Sequence, residues 1–252
     1  MSTIPILYED GEALVINKPA GLPIERPRAG GRSLEDHLES LKLGFQREPA
    51  AVHRIDTDTS GCLLLARNPK ALKRFNAAFE NRAVEKVYLG VVAGPVEGDE
   101  GTISLSLSKI SSAEKGWRMI AAKKGKPSIT HWRKLAEKDG LTLVEFRPET
   151  GRTHQIRIHA QAGLGHALLG DPVYGDGRGA PRTMLHALAL TVQREGKPPI
   201  AAIAPLPADF AALGFGPLDF GPPESGPVDS GPVDSGPVDA GTLESGDVVP
   251  GA

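Results

Sequence analysis

The stretch AVHRIDTDTSGCLLLARN, residues 51–68, places a histidine, an arginine and an aspartate within four positions, just before a turn and an apolar run. The carboxylate of Asp56, close to the cation of Arg54, could act as a nucleophile or as a general base if it stays ionised. The same two residues could instead be a turn carboxylate and a surface ion pair, which contributes little to stability. The choice between these interpretations depends on the rest of the chain.

Several other interpretations of the polar motifs fail on spacing. DTDTSG, residues 56–61, begins like a calcium-binding loop, but Arg67 occupies the twelfth position, where such a loop needs a bidentate acid. HRID matches the start of a kinase catalytic loop, but the later asparagine and the preceding glycine-rich loop are both missing. His154 and His159 do not form an HExxH pattern. The sequence therefore predicts a carboxylate that works without a metal or a cofactor.

Two further segments carry possible partners for this carboxylate. ETGRTHQIRIHAQAGLGH, residues 149–166, contains Arg152 and Arg157, and EKVYLGVV, residues 85–92, contains Tyr88. An arginine fixed beside an aspartate stabilises its charged form and orients it. Taken alone, Tyr88 could equally be an aromatic residue of the core.

The elements that must position these residues alternate in type. Apolar and β-branched runs bounded by turn residues predict strands at 13–19, 62–68, 86–94 and 141–148. Residues 69–82 begin with Pro69 and carry apolar residues on one face, which predicts an amphipathic helix. Residues 33–42 also predict a helix, with Ser33 as N-cap and leucines at helical spacing.

The segment 153–166 has two possible structures. Ile156 and Ile158 alternate as in a strand, whereas Ile156, Ala160 and Gly163 repeat as in a helix. The helix is the preferred prediction, with Thr153 as N-cap and Gly165 closing the helix.

Together these elements predict an α+β fold with a mixed, largely antiparallel central sheet and flanking helices. Strands and helices alternate too irregularly for a doubly wound fold, and no dinucleotide-binding or P-loop motif follows a strand. We expect residues 1–212 to form one catalytic domain.

Composition and charge limit the possible classes of protein. The chain of 252 residues is 40% hydrophobic, and it shows neither a membrane-spanning run nor the basic start of a signal peptide, so a cytoplasmic protein is expected. Its single cysteine, Cys62, lies in an apolar run and is predicted to be a core residue. The net charge is −2, but seven of the 31 acids and none of the 29 bases lie in residues 213–252. The remaining chain therefore carries about +5, which is compatible with a polyanionic partner.

Residues 213–252 form a low-complexity tail with repeats such as GPVDS. Its glycine and proline content opposes helix and strand, and it offers few side chains for burial, so we expect it to be disordered. The simplest interpretation is a solvated acidic tether. The alternative is that the tail competes with RNA for a basic face of the protein.

HRIDTDTSGCLLLARN resembles the signature of the RluA family of RNA pseudouridine synthases. KVYLGVV, ETGRTHQIRIHA, GHALLGDPVYG and LHALALT follow in the family's order, with VINKPAGLPI near the start and APLPADF near the end. The resemblance covers residues 10–210. Ile55 replaces the usual leucine, and Cys62 stands where leucine is common. No S4-like RNA-binding module is recognisable, which is similar to the short, single-domain members of the family.

The resemblance implies isomerisation of uridine to pseudouridine in folded RNA, with no cofactor and no metal. It makes Asp56 the essential carboxylate, which either attacks C1′ of the ribose or removes a sugar proton. Arg157 is the expected partner that keeps Asp56 ionised, with Arg152 the second choice. Tyr88 is expected to stack on the target base and to take the C5 proton.

The resemblance also assigns substrate contacts. Arg54 is expected to enter the space that a flipped uridine leaves. The structural alternative for Arg54 is an ion pair. His53 and Thr59 are expected to shape the turn that presents Asp56 to the RNA. Several lysines are expected to follow the RNA backbone, although those of the KKGK segment could equally be solvated: Lys86, Lys109, Lys123, Lys124 and Lys126.

The expected partner is structured RNA, either ribosomal or transfer RNA, with no membrane and no obligatory protein partner, and the expected state is a monomer. Two rival functions remain: an RNA-binding or RNA-folding factor in which catalysis is secondary, and an unrelated carboxylate hydrolase such as a nuclease. A nuclease of that kind usually needs clustered acids for metal ions, which the sequence does not offer.

Overall fold

The computed structural model describes residues 4–112 and 116–216, in which eleven strands form one sheet. The strands are β1 (Ile6–Glu9), β2 (Ala13–Lys18), β3 (Ala50–Ala51), β4 (Ser60–Ala66), β5 (Val84–Val92), β6 (Glu100–Ser112), β7 (Gly116–Ala121), β8 (Lys126–Lys138), β9 (Leu141–Pro148), β10 (Leu185–Val192) and β11 (Ile200–Ile203). The helices are α1 (Pro69–Glu80), α2 (Gln155–Gly163) and α3 (Ala208–Ala212), with a 3-10 helix at Leu34–His37.

The strands follow the order β1-β2-β4-β10-β5-β9-β8-β6-β7, with β3 also paired to β4 and β11 to β10. Within the described residues, β4 and β10 form the one parallel pair, and every other pair is antiparallel. The predicted α+β fold with a mixed, largely antiparallel sheet is therefore confirmed.

The register of β10 brings the segment after Asp56 close to Tyr88. Ala187 of β10 pairs with Gly61 of β4 on one side and with Tyr88 of β5 on the other. Because neighbouring strands lie about 4.8 Å apart, Gly61 and Tyr88 are separated by about 10 Å across the sheet. Residues 27 positions apart in sequence are thereby brought to one region of the fold.

The buried strand and the amphipathic helix that follows it form as predicted. All seven residues of β4 are buried, which explains the continuous apolar run and the burial of Cys62. Helix α1 begins at Pro69 after Asn68, whose side chain accepts a hydrogen bond from the backbone N–H of Ala71. Phe75 of α1 is 1% exposed and anchors the helix to the core cluster that contains β2 and β4.

The segment 153–166 is helical, as preferred, but its predicted N-cap is wrong. His154 precedes the first helical residue and adopts a left-handed conformation with φ of 53°. The backbone therefore turns sharply at His154, and its carbonyl accepts the N–H of Ile158. The helix ends at Gly163, and Gly165, with φ of 81°, reverses the chain direction as expected.

The helix predicted at 33–42 is wrong in type and length. Only Leu34–His37 is helical, as a single 3-10 segment, and turns follow it. Leu34 and Leu41 are nonetheless buried. Bonds of the i to i+3 type, such as Leu38 N–H to the Glu35 carbonyl, bring these leucines to one side without a regular α-helix.

The strands β6, β7 and β8 were not singled out in the sequence, and they form one end of the sheet. The turn between β7 and β8 contains Lys123 and Lys124 of the KKGK segment. Beyond α3, Phe215 is 3% exposed, so packed chain extends past the expected end of the domain at 212. The rest of the expected tail, residues 217–252, lies outside the described residues. None of the helices that the structure describes is long and apolar enough to cross a membrane.

Candidate active site

Asp56 lies at the start of a tight turn that leads into β4. Its backbone carbonyl accepts the N–H of Thr59 at 3.0 Å, which closes the turn. The next carbonyl, that of Thr57, accepts hydrogen bonds at 2.9 Å from the Gly21 N–H and from the ammonium group of Lys18. Lys18 is fully buried, and burial lowers the pKa of its ammonium group to about 8. The turn is thus held to the loop that follows β2.

Arg182 also holds this turn. Its guanidinium donates hydrogen bonds to the backbone carbonyls of Asp58 and Leu185 at 2.9 and 3.0 Å. The carboxylate of Asp209 in α3 accepts a further bond from Nε at 2.7 Å and compensates the charge. The backbone around Asp56 is therefore fixed by two cations, and neither of them makes an ion pair with Asp56.

The cation that contacts Asp56 is Arg157. Its Nη1 lies 3.2 Å from Oδ2 of Asp56, and the two residues are 101 positions apart in sequence. The Arg157 side chain is 9% exposed, whereas that of Asp56 is 27% exposed. The carboxylate can therefore meet a ligand while the guanidinium supports it from inside the fold.

Asp171 is the second partner of Arg157 and was not singled out in the sequence. Its two carboxylate oxygens accept bonds from Nε and Nη2 of Arg157, both at 2.7 Å, and its side chain is fully buried. The backbone N–H groups of Val173 and Tyr174 also donate to Asp171. Burial disfavours the charged guanidinium, but Asp171 outweighs this effect, and with Asp56 it raises the pKa of Arg157 above its ordinary value.

Tyr88 lies in the middle of β5 and lines the same cavity as Asp56 and Arg157. The structure thus places all three residues expected to be catalytic around one hollow. Burial, followed by the negative charge of Asp56, raises the pKa of the Tyr88 hydroxyl above its ordinary value. The phenol is therefore neutral at physiological pH.

The two arginines with expected substrate or supporting roles differ in position. Arg54 is exposed at the cavity rim and makes no ion pair with any acid in residues 4–112 and 116–216, so the expected structural alternative fails. Arg152 also lines the cavity, but its Nε donates to the carbonyl of Pro127 at 3.3 Å. Arg157, and not the second choice Arg152, contacts the carboxylate of Asp56.

His53 and Thr59 have structural contacts at the cavity. Nε2 of His53 accepts the backbone N–H of Leu64 at 3.0 Å, and its ring stacks on Phe79 at a centroid distance of 4.6 Å. Burial, with a smaller effect from the charge of Lys86, lowers the pKa of His53 to about 3, so the imidazole is neutral. Thr59 is 2% exposed and closes the turn through its backbone N–H.

His154, the left-handed residue before α2, is a further member of the site that the sequence did not identify. Its Nε2 lies 3.9 Å from Oδ2 of Asp56, and its Nδ1 lies 2.9 Å from the hydroxyl of Tyr174. The ring also contacts Trp117 of β7 at a centroid distance of 5.0 Å. His154 thus connects the carboxylate to the β6–β7 hairpin.

The space in front of Asp56 has two lobes. The Tyr88 lobe, of about 460 Å³, is lined by Tyr88, His53 and Lys86. The Trp117 lobe, of about 590 Å³, is lined by Trp117 and by the arginine-rich segment 23–28. Asp56 and Arg157 line both lobes, so the carboxylate lies where they meet.

Comparisons with known proteins identify the family of this chain. Residues 12–162 match the family model described as RNA pseudouridylate synthase. The chain is 53% identical over 212 residues to an uncharacterized RNA pseudouridine synthase of Zymomonas mobilis, which covers 83% of this chain and 97% of that protein. It is 35% identical over 198 residues to ribosomal large subunit pseudouridine synthase D of the same organism, covering 75% of this chain and 62% of that protein.

A solved structure has the same fold. The human RNA pseudouridylate synthase domain containing 1 superposes with a TM-score of 0.66 and 30% identity, over 81% of this chain and 84% of that one. The family model spans more than half of the described chain, and the first of these relatives aligns along nearly its whole length. This chain belongs to the RluA-type family of RNA pseudouridine synthases, isomerases that convert uridine to pseudouridine in RNA.

Proposed function

We propose that this enzyme isomerises specific uridines in structured RNA through the carboxylate of Asp56, after the target nucleotide has been flipped out of its stack. The observation that supports this most directly is the 3.2 Å contact between Arg157 Nη1 and Asp56 Oδ2, in a cavity that Tyr88 also lines. A guanidinium in contact with a carboxylate orients it and compensates its charge. Arg157 supplies that cation and is itself held by Asp171.

The reaction rearranges bonds without a change of oxidation state. The N1–C1′ bond of uridine breaks, the uracil ring turns, and C5 bonds to C1′. C5 then loses its proton while N1 gains one, so the product is an isomer of the substrate. Asp56 either attacks C1′ directly or removes a sugar proton to form a glycal, and both routes require the ionised carboxylate that Arg157 supports.

We assign two tasks to Tyr88. Its ring, at the wall of the Tyr88 lobe, would stack on the uracil and guide its rotation. Because its hydroxyl is neutral, it can take the C5 proton only while it passes its own proton on, and N1 of the uracil, which gains a proton in the reaction, is the final acceptor. Tyr88 would therefore act as a relay and not as an ionised base.

Arg54 is the residue that we assign to base flipping. It is exposed beside Asp56 and unpaired in the part of the chain that the structure describes. A planar guanidinium can stack on the bases that remain in the RNA and can contact phosphates at the same time. This interaction would offset the few kcal/mol lost when the uridine leaves its stack.

Ribosomal RNA is the first candidate substrate, because one relative is named ribosomal large subunit pseudouridine synthase D. Transfer RNA is the second candidate. Mapping of pseudouridines in total RNA from a deletion strain identifies the target, since the modified position disappears and returns with the restored gene. We also infer a monomer, since Asp56, Tyr88 and Arg157 all come from one chain. We infer that it acts in the cytoplasm, since its proposed substrate is cellular RNA.

Tritium release from RNA labelled at C5 of uridine tests the catalytic assignment. We expect release with the wild-type enzyme and none with Asp56→Asn, which should still bind RNA. Asp58→Asn is the matched control, because it removes a carboxylate from the same turn and should keep its activity. Sustained turnover by Asp56→Asn would refute the role given to Asp56.

A further inference from the structure

Trp117 is an exposed aromatic residue at the mouth of the catalytic cavity. It lies on β7, and 47% of its surface is exposed, more than for any other large apolar residue in the described chain. Nothing in the catalytic steps above uses it. A large indole left in contact with water loses apolar stabilisation unless a ligand or partner covers it.

The position of Trp117 relative to Asp56 is defined through His154. The imidazole of His154 lies 3.9 Å from the Asp56 carboxylate and packs against the indole at a centroid distance of 5.0 Å. The side chain of His154 thus lies between Trp117 and the carboxylate of Asp56. Trp117 and Asp56 also line the same lobe of about 590 Å³.

Basic residues outnumber acids around the Trp117 lobe, since four arginines and three acids line it. Arg28 and Arg54 line this lobe, and neither forms an ion pair with an acid in residues 4–112 and 116–216. The ammonium group of Lys109 lies 4.9 Å from the centroid of the Trp117 ring. An aromatic face flanked by cations is the arrangement that binds single-stranded nucleotides, by stacking on the base and by contacts with phosphates.

We propose that Trp117 is a stacking platform for the base of a nucleotide that flanks the target uridine in the RNA. The target uracil occupies the Tyr88 lobe, and the neighbouring base occupies the Trp117 lobe. Lys109 leaves the ring on binding and contacts a phosphate of the same nucleotide. This inference rests on the proposed function for the identity of the RNA, but the platform binds its base independently of catalysis.

Tryptophan fluorescence tests the platform without any turnover. The chain has two tryptophans, and Trp132 packs against the core beside Gly101. In a Trp132→Phe variant, Trp117 is the one remaining indole. We expect its emission to be quenched when a short oligouridylate or oligoadenylate is added, and to be unchanged by an oligomer of abasic ribose phosphates.

Binding measurements on variants give the size of the effect. Trp117→Ala should lower the affinity for the oligonucleotide about tenfold or more, because stacking of one base on an aromatic side chain is worth that much. Trp117→Phe should recover most of the affinity. Phe45→Ala, which truncates another exposed aromatic residue away from the cavity, is the matched control and should leave binding unchanged.

The platform is refuted if the Trp117 emission does not change at saturating oligonucleotide, or if Trp117→Ala binds as tightly as the wild type. Quenching by an apolar peptide but not by RNA would assign the surface to a protein partner and would also overturn the proposal. These outcomes differ from a failure of the proposed function, in which Asp56→Asn would keep its activity while the Trp117 measurements stay as expected.

Discussion

The buried carboxylate of Asp171 holds the guanidinium of Arg157 through two bonds of 2.7 Å, and this leaves Nη1 of Arg157 directed at Asp56. The three residues form a line from the interior of the fold to the cavity. Asp171 is fully buried, so the surrounding fold holds it in place. Asp56 is partly exposed and can contact a ligand. Asp171 therefore positions Arg157 against Asp56, and in the proposed mechanism we expect it to act through Arg157.

Replacing Asp171 by Asn should lower the turnover number about 10- to 150-fold, because hydrogen bonds to charged groups contribute about 1.5–3 kcal/mol. RNA affinity should stay unchanged, since Asp171 does not face the cavity. Asp10→Asn is the control, because it removes the carboxylate partner of Arg194 far from the site. Full activity of Asp171→Asn, measured by tritium release, would contradict the positioning role.

Replacing Arg54 by Ala should reduce activity on folded RNA about 10- to 100-fold more than activity on single-stranded RNA. The reason is that only folded RNA requires a uridine to leave its stack, which costs a few kcal/mol. The measurement is tritium release from both substrates at equal concentration. Arg54→Lys keeps the charge but not the planar group, so it should resemble Arg54→Ala. An equal loss on both substrates would exclude a flipping role.

The affinity for RNA should fall about tenfold as the pH rises through about 8, if Lys86 binds a phosphate in the Tyr88 lobe. Burial lowers the pKa of Lys86 to about 8, so its ammonium group is charged below that pH and neutral above it. Binding titrations at a series of pH values measure this change. Lys86→Arg should remain charged and show a flat profile. A wild-type profile that is equally flat would show that Lys86 does not contact the RNA.

Replacing Gly61 by Ala should destabilise the fold by about 2–6 kcal/mol. Gly61 has φ of 105°, and a Cβ atom at this position would collide with the backbone carbonyl of Ala187. The parallel pairing of β4 with β10 requires this close approach. Chemical denaturation gives the free energy of unfolding, and Gly11→Ala, where a Cβ meets nothing within 4 Å, is the control. Unchanged stability of Gly61→Ala would disprove this explanation.

Local patterns in the sequence correctly predicted the elements whose structure depends mainly on their own residues. Residues 62–66 of the predicted strand 62–68 are all apolar because β4 is buried on both faces. Pro69 with a one-sided apolar pattern predicted α1. The α-helix predicted at 33–42 was wrong, because a 3-10 helix followed by turns also brings leucines at helical spacing to one side. His154 before α2 could not be foreseen, since a left-handed conformation at a non-glycine residue is imposed by its surroundings.

The sequence by itself determined the family and the fold class, and its motifs predict Asp56, Tyr88 and Arg157 as the catalytic residues, because motifs in a defined order can be read without a structure. The tertiary structure decided which groups meet. Asp171 and His154 join the site through contacts between distant segments, and so does the hairpin that carries Trp117. The energy of such contacts depends on the distance between the groups and on their burial in the folded chain. Neither quantity can be read from the order of residues along the sequence.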